Sequence, residues 1–186
     1  MNVHRPDALL SRQDAALVII DIQERLLPAI SNRESLLANT IKLLRFAGIL
    51  GLPIVASEQI KLGPLVPEIR AELPDLETTV KVEFDALKNG AFAEHLAALN
   101  RNALVVAGIE AHICVAQTVL HALPHYRVHV ISDAIGSRSP DDRAIALERL
   151  RSAGAIISST EMLMYELLER AGTDEFREVL KLVKDS

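Results

Sequence analysis

The sequence predicts an α/β fold: a three-layer, mostly parallel, doubly wound (Rossmann-like) sheet flanked by helices, in a single domain over residues 1–186. Three observations predict it. Short runs of aliphatic and β-branched residues recur, apolar at every position rather than at alternate ones, as strands covered on both faces require. Stretches with apolar residues at helical spacing alternate with those runs. A chain of 186 residues, 49% hydrophobic and 24% charged, is long enough to bury a sizeable core without staples.

Residues 15–21, A-A-L-V-I-I-D, read as a central parallel strand with Asp21 at its carboxyl end. Ser31 or Asn32 can cap a helix over residues 33–50, in which Leu36, Leu37, Thr40, Leu43, Leu44 and Ala47 form the apolar stripe and Gly48 and Gly51 mark the end. Residues 53–57 start a second strand. Residues 58–68, E-Q-I-K-L-G-P-L-V-P-E, carry Gly63, Pro64 and Pro67 and read as a loop entering a short helix over residues 68–72. A third strand covers residues 78–82, around Lys81, and a helix follows over residues 91–99.

Residues 103–107 form the next buried strand, which turns near Gly108 into a helix where Ala111, Cys114, Val115, Thr118, Val119 and Ala122 recur at helical spacing. Residues 126–132 are a further strand with Asp133 at its end. Pro140, Asp141 and Asp142 open a helix that Gly154 closes, before a strand over residues 155–158. Thr160 caps a helix through Arg170, and a last helix spans residues 174–184. Met162, Leu163, Met164, Tyr165, Leu167 and Leu168 make that penultimate helix too apolar all round for one solvent face, which predicts a subunit contact in a homo-oligomer.

Composition removes several classes of partner. A formal net charge of -5 gives no electrostatic footprint for nucleic acid, and 3% aromatic residues with no Trp supply no stacking platform. No apolar run reaches the ~18 residues of a membrane span. The single cysteine forms no internal disulfide, and the leading M-N-V-H-R-P-D lacks the apolar core of a signal peptide, so a cytoplasmic location is expected. The turn A-G-I-E-A-H-I-C has no G-x-G-x-x-G, so NAD is not expected. Among the six histidines, His121 and His125 share i, i+4 spacing, but Pro124 interrupts the helix between them, and no metal site is expected.

In doubly wound sheets ligands bind outside the carboxyl ends of the strands, where Asp21, Glu58, Lys81, the Gly108 turn and Asp133 are expected to gather. Cys114 falls in the first turn of a helix, whose unpaired N–H groups and positive dipole end favour a thiolate. Each residue alone has an ordinary role: cysteine as a small hydrophobe, aspartate as a turn cap, lysine as a solvated charge. Together they make a nucleophile, a base and a cation.

V-I-I-D-I-Q ending in Asp21, T-V-K-V-E-F around Lys81 and V-A-G-I-E-A-H-I-C-V closing on Cys114, in this order, resemble the isochorismatase-like cysteine hydrolases over nearly the whole chain. The resemblance implies a triad of Cys114 as nucleophile, Asp21 as proton acceptor and Lys81 as the cation beside both. It also implies a cis peptide between Ile109 and Glu110, with the Glu110 and Cys114 N–H groups as an oxyanion hole. The implied reaction is hydrolysis of a small non-peptide amide or carbamoyl C–N bond through a thioester, without a cofactor.

The nicotinamidases of the family hold a metal through an Asp-x-His-x-x-His stretch after the second strand; here that region reads S-E-Q-I-K-L-G-P and has no histidine. Glu58, Gln59, Phe84 and His112 are candidates to touch the small-molecule substrate, each with a plain structural role as its alternative. Two other readings stand beside the hydrolase. One is vinyl ether cleavage like that of isochorismatase, which needs no thiolate; the other is an oligomeric scaffold that keeps the fold without turnover.

Overall fold

A computed structural model describes residues 9–184; residues 1–8 and 185–186, and with them the reading of M-N-V-H-R-P-D, lie outside the described residues. The strands are β1 (Ala15–Ile20), β2 (Ile54–Gln59), β3 (Thr78–Lys81), β4 (Ala103–Ile109), β5 (Arg127–Gly136) and β6 (Ile156–Ser158). They form one sheet in the order β3-β2-β1-β4-β5-β6, and every neighbouring pair is parallel. The helices are α1 (Arg33–Leu50), α2 (Pro67–Glu72), α3 (Gly90–Ala98), α4 (Ala116–Ala122), α5 (Pro140–Ser152), α6 (Thr160–Leu168) and α7 (Asp174–Lys184).

The uniform apolarity of β1 has a direct cause: all six of its residues are buried, alternately on two faces. Ala15, Leu17 and Ile19 join a core built with α1, α6 and α7, while Ala16, Val18 and Ile20 join one built with α3, α4 and α5. Each fully buried leucine or isoleucine in these layers contributes about 1.5–3 kcal/mol of transfer free energy. Helix α1 stops where Gly51 adopts φ 65° and returns its N–H to the Ala47 and Gly48 carbonyls, a left-handed cap that favours glycine.

The chain winds from β1 outward to β2 and β3, then crosses back to β4 on the other side of β1. The crevice at the switch between β1 and β4 is therefore where a ligand site belongs. Gly108 lets the two strands close up there. Its φ is 143°, and a Cβ on it would lie 2.3 Å from the Ile20 carbonyl oxygen.

Several local expectations change. Gly108 lies inside β4, and the turn into the next helix falls after Ile109. Strand β5 runs on to Gly136, with a register shift against β4 between Val106 and Gly108, so Asp133 lies within the strand. The Asp133 carboxylate accepts from the Thr160 N–H and hydroxyl, each at 2.9 Å, and so fixes the start of α6 instead of joining the site. Ser159, not Thr160, is the N-cap of that helix. Leu163, Met164, Leu167 and Leu168 are buried against the protein's own core, which accounts for most of the apolar character read as a subunit face; Met162 and Tyr165 remain exposed. Among the described residues no helix is long and apolar enough to cross a membrane.

Candidate active site

Asp21 is the first residue beyond β1, held at φ 53° and fully buried. Its two carboxylate oxygens are bonded separately. The Ser57 hydroxyl donates to Oδ1 at 2.7 Å, and the Lys81 ammonium donates to Oδ2 at 2.6 Å. Lys81 reaches in from the edge strand β3, and Nζ also donates to Gln59 Oε1 at 2.7 Å and to the Glu83 carbonyl at 3.2 Å. Taking two charges out of water costs several kcal/mol for each ion, and only close mutual contact with further hydrogen bonds offsets it.

The period of two along β2 sorts its end residues. Ser57 and Gln59 face Asp21 and Lys81, whereas Glu58 between them is turned away, accepting from the Leu65 N–H at 2.9 Å and from Arg70 Nη2 at 2.7 Å. Glu58 is thus a brace for the following loop, which corrects its candidacy for substrate contact. Gln59 reaches the site as a bracket for the ammonium: its Nε2 donates to the Val82 carbonyl at 3.0 Å and its backbone N–H to Gln23 Oε1 at 2.8 Å.

Strand β4 delivers the third component. The Ile109–Glu110 peptide is cis, and residues Ala111–Val115 then form a π-helical turn before α4 begins. The Val115 N–H accordingly reaches back to the Glu110 carbonyl at 3.2 Å. Cys114 lies in this turn, buried, with its thiol close enough to the Asp21 carboxylate and the Lys81 ammonium for both charges to act on it. The Glu110 side chain is engaged elsewhere, accepting from Arg138 Nε at 3.1 Å and from the Arg138 N–H at 3.0 Å.

The resting state of the sulfur differs from the sequence-based expectation. Burial pushes the Cys114 thiol up to about 12, the Asp21 carboxylate adds to the rise, and the Lys81 ammonium only partly opposes it. The physical reason lies in the ion pair. Lys81 and Asp21 are in contact, so the sulfur meets a nearly neutral pair rather than a free cation, and desolvation decides the balance. The turn around Cys114 is also π-helical, not the α-helical first turn on which the dipole argument relied.

The remaining candidates are dispersed. His112 Nδ1 is 3.0 Å from the Ser137 hydroxyl, and its Nε2 is 3.8 Å from Asp142 near the start of α5. Phe84 is exposed, on the segment whose Glu83 carbonyl holds Lys81. His121 pairs with Asp85 at 2.8 Å, and among the described residues no three His, Cys, Asp or Glu side chains come together as a metal site. Ser57 and the bracket made by Gln23 and Gln59 escape a reading of the sequence. The signal available for Ser57 is its two-residue spacing from Gln59 at the end of the strand beside β1.

Comparison with known proteins follows the same geometry. A family model described as "Isochorismatase domain" matches residues 15–162. Isochorismatase domain-containing protein 2 of Danio rerio is 33% identical over 177 residues, covering 94% of this chain and 89% of that one. The structure described as MAR1 ribonuclease from Caenorhabditis elegans aligns with TM-score 0.89 and 30% identity, over 95% of this chain and 93% of that chain. The YcaC gene product of Escherichia coli, described as an octameric hydrolase of unknown specificity, aligns with TM-score 0.87 and 26% identity, over 97% of this chain and 90% of that one.

Proposed function

The chain belongs to the isochorismatase family, and on that premise we propose that it is a cysteine hydrolase of a small, non-peptide amide or carbamoyl C–N bond. The observation that carries this reading is the buried Asp21–Lys81 pair at 2.6 Å, with the buried Cys114 thiol within reach of both charges. A sulfur placed only for packing requires neither.

Cys114 rests as a thiol. With the thiol near 12, forming a free thiolate at neutral pH costs roughly 7 kcal/mol, so the proton leaves as the bond to carbon forms. The S–H proton passes to Asp21 while Sγ attacks the substrate carbonyl. Asp21 thereby loses its charge as the carbonyl oxygen acquires one, the sulfur becoming a neutral thioether, and the Lys81 ammonium stays beside them throughout. The Glu110 and Cys114 N–H groups receive the oxyanion of the tetrahedral intermediate. Its collapse expels the amine or ammonia, which takes the proton back from Asp21 and leaves a thioester on Cys114. A water then gives a proton to Asp21 and its oxygen to the acyl carbon, and collapse releases the acid while the departing sulfur takes that proton from Asp21, restoring the thiol and the carboxylate. Nucleophile, base and cation all come from side chains, so the scheme calls for no cofactor.

A vinyl ether substrate needs no sulfur nucleophile and leaves the placement of Cys114 near the Asp21–Lys81 pair without a task. A net charge of -5 disfavours nucleic acid as substrate. Assembly with copies of the same chain is part of the proposal; it is supported by the octameric description of the E. coli neighbour and by the exposed Met162 and Tyr165.

The test is incubation with a library of small amides and ureas, acid quench and intact-mass measurement. The expected result is an acyl adduct on Cys114 for at least one compound, absent in Cys114→Ala. Turnover of that compound by Cys114→Ala at the wild-type rate would overturn the reading.

A further inference from the structure

The segment over residues 82–88, which connects β3 to α3, is fastened to the helix that follows the nucleophile. The Ala86 N–H donates to Thr118 Oγ1 at 2.9 Å inside the protein, and His121 Nδ1 meets Asp85 Oδ2 at 2.8 Å. Asp85 is buried, and its other oxygen accepts from the Leu87 N–H at 3.0 Å, starting the short turn Ala86–Lys88. Thr118 and His121 stand at i and i+3 on one face of α4, and Cys114 lies in the π-helical turn that leads into that helix. The helix that continues from the turn holding the sulfur therefore grips the segment whose Glu83 carbonyl holds the Lys81 ammonium at 3.2 Å.

A buried threonine within a helix commonly bonds its hydroxyl back to its own helix. Here the Thr118 oxygen takes an amide proton from a separate segment. The path runs from Lys81 through Glu83 to Asp85 and Ala86, across to Thr118 and His121, and back along α4 and the π-helical turn before it to Cys114. Each joint is a hydrogen bond or a short piece of backbone.

We propose that Thr118 and Asp85 are positioning residues that set the separation between the Lys81 ammonium and the Cys114 sulfur. This inference rests on the catalytic reading above. Loosening the clamp lets the ammonium drift from the sulfur, and the thiol, already raised by burial, rises further. Both side chains are buried.

The experiment is the rate of iodoacetamide alkylation of Cys114 between pH 7 and 10, with the unfolding midpoint measured on the same samples. Thr118→Val keeps the shape and removes the acceptor; its alkylation rate is expected to fall about tenfold at every pH, one pKa unit of sulfur. Thr118→Ser restores the acceptor and the rate to within about twofold, a rescue that loss of packing alone does not give. Asp85→Asn, with a weaker bond to His121, is expected to fall between them and serves if Thr118→Val fails to fold. Wild-type rates in folded Thr118→Val or Asp85→Asn, with a slowed Lys81→Met, overturn the positioning role and leave the catalytic reading intact. A Lys81→Met variant alkylated at the wild-type rate overturns both.

Discussion

Lys81 and Asp21 form an ion pair at 2.6 Å in which neither side chain is exposed to solvent. A pair so placed is costly to build and more costly to break, because removing one member strands the other charge in the interior. Its position beside the only cysteine gives that expense a purpose.

Lys81→Met is therefore expected to lower stability by roughly 3–5 kcal/mol and to abolish hydrolysis. Adding Asp21→Asn removes the stranded charge and is expected to recover much of the stability with none of the activity. Urea denaturation of both variants beside the wild type checks this; equal stability of the single and double variants would contradict it.

The Cys114 thiol, raised from 9.0 to about 12, makes the fold sensitive to alkali. Between those values the unfolded chain has lost a proton that the folded chain keeps, so the contribution is complete below about pH 9 and declines as pH rises toward 12, by about 4 kcal/mol in all. The unfolding free energy of the wild type should fall more steeply than that of Cys114→Ala as pH is raised from 9 to 11; parallel curves would contradict this.

His129 acts at the other end of the scale. It is buried in β5 with neither ring nitrogen bonded, and burial, with Arg127 adding to it, pushes its pKa from 6.5 down to about 4. The unfolded chain binds the proton first. Stability is then full above pH 6.5 and falls by roughly 3 kcal/mol as pH drops to 4. His129→Leu is expected to flatten the pH dependence of the unfolding free energy in that window; an unchanged slope would count against it.

Gly108→Ala is expected to destabilise the protein by about 2–4 kcal/mol, since its methyl group meets the Ile20 carbonyl and its backbone sits at φ 143°. Because Ile20 directly precedes Asp21, the iodoacetamide rate at Cys114 should change as well. A thermal melt and an alkylation time course on one preparation read both effects.

The sequence carries the sheet, its layers and the meeting of Asp21, Lys81 and Cys114 at one rim because each leaves a local mark. A fully apolar run ending in an acid reads as β1 and Asp21, and helical spacing after β4 brings Cys114 to the same rim. What escapes depends on pairing between distant segments. Residues 58–68 look like a loop from Gly63 and the prolines, but β3 extends β2 by two residues, and the alternation then sends Glu58 outward and Gln59 inward. The polar Ser132 and Asp133 suggest a strand end, yet a register shift carries β5 on to Gly136. The protonation of the thiol depends on weighing burial against a cation already neutralised by its neighbour, which residue order does not disclose.

One consequence of the strand order concerns wear rather than chemistry. Lys81 rides on β3, a strand of four residues at the rim of the sheet, moored to a neighbour on one side only. Heat or denaturant should unzip that mooring before it disturbs the central strands, so amide exchange at Thr79 and Lys81 should outpace exchange at Val105 and Val106. A mildly stressed preparation would then stop working while still looking folded by circular dichroism.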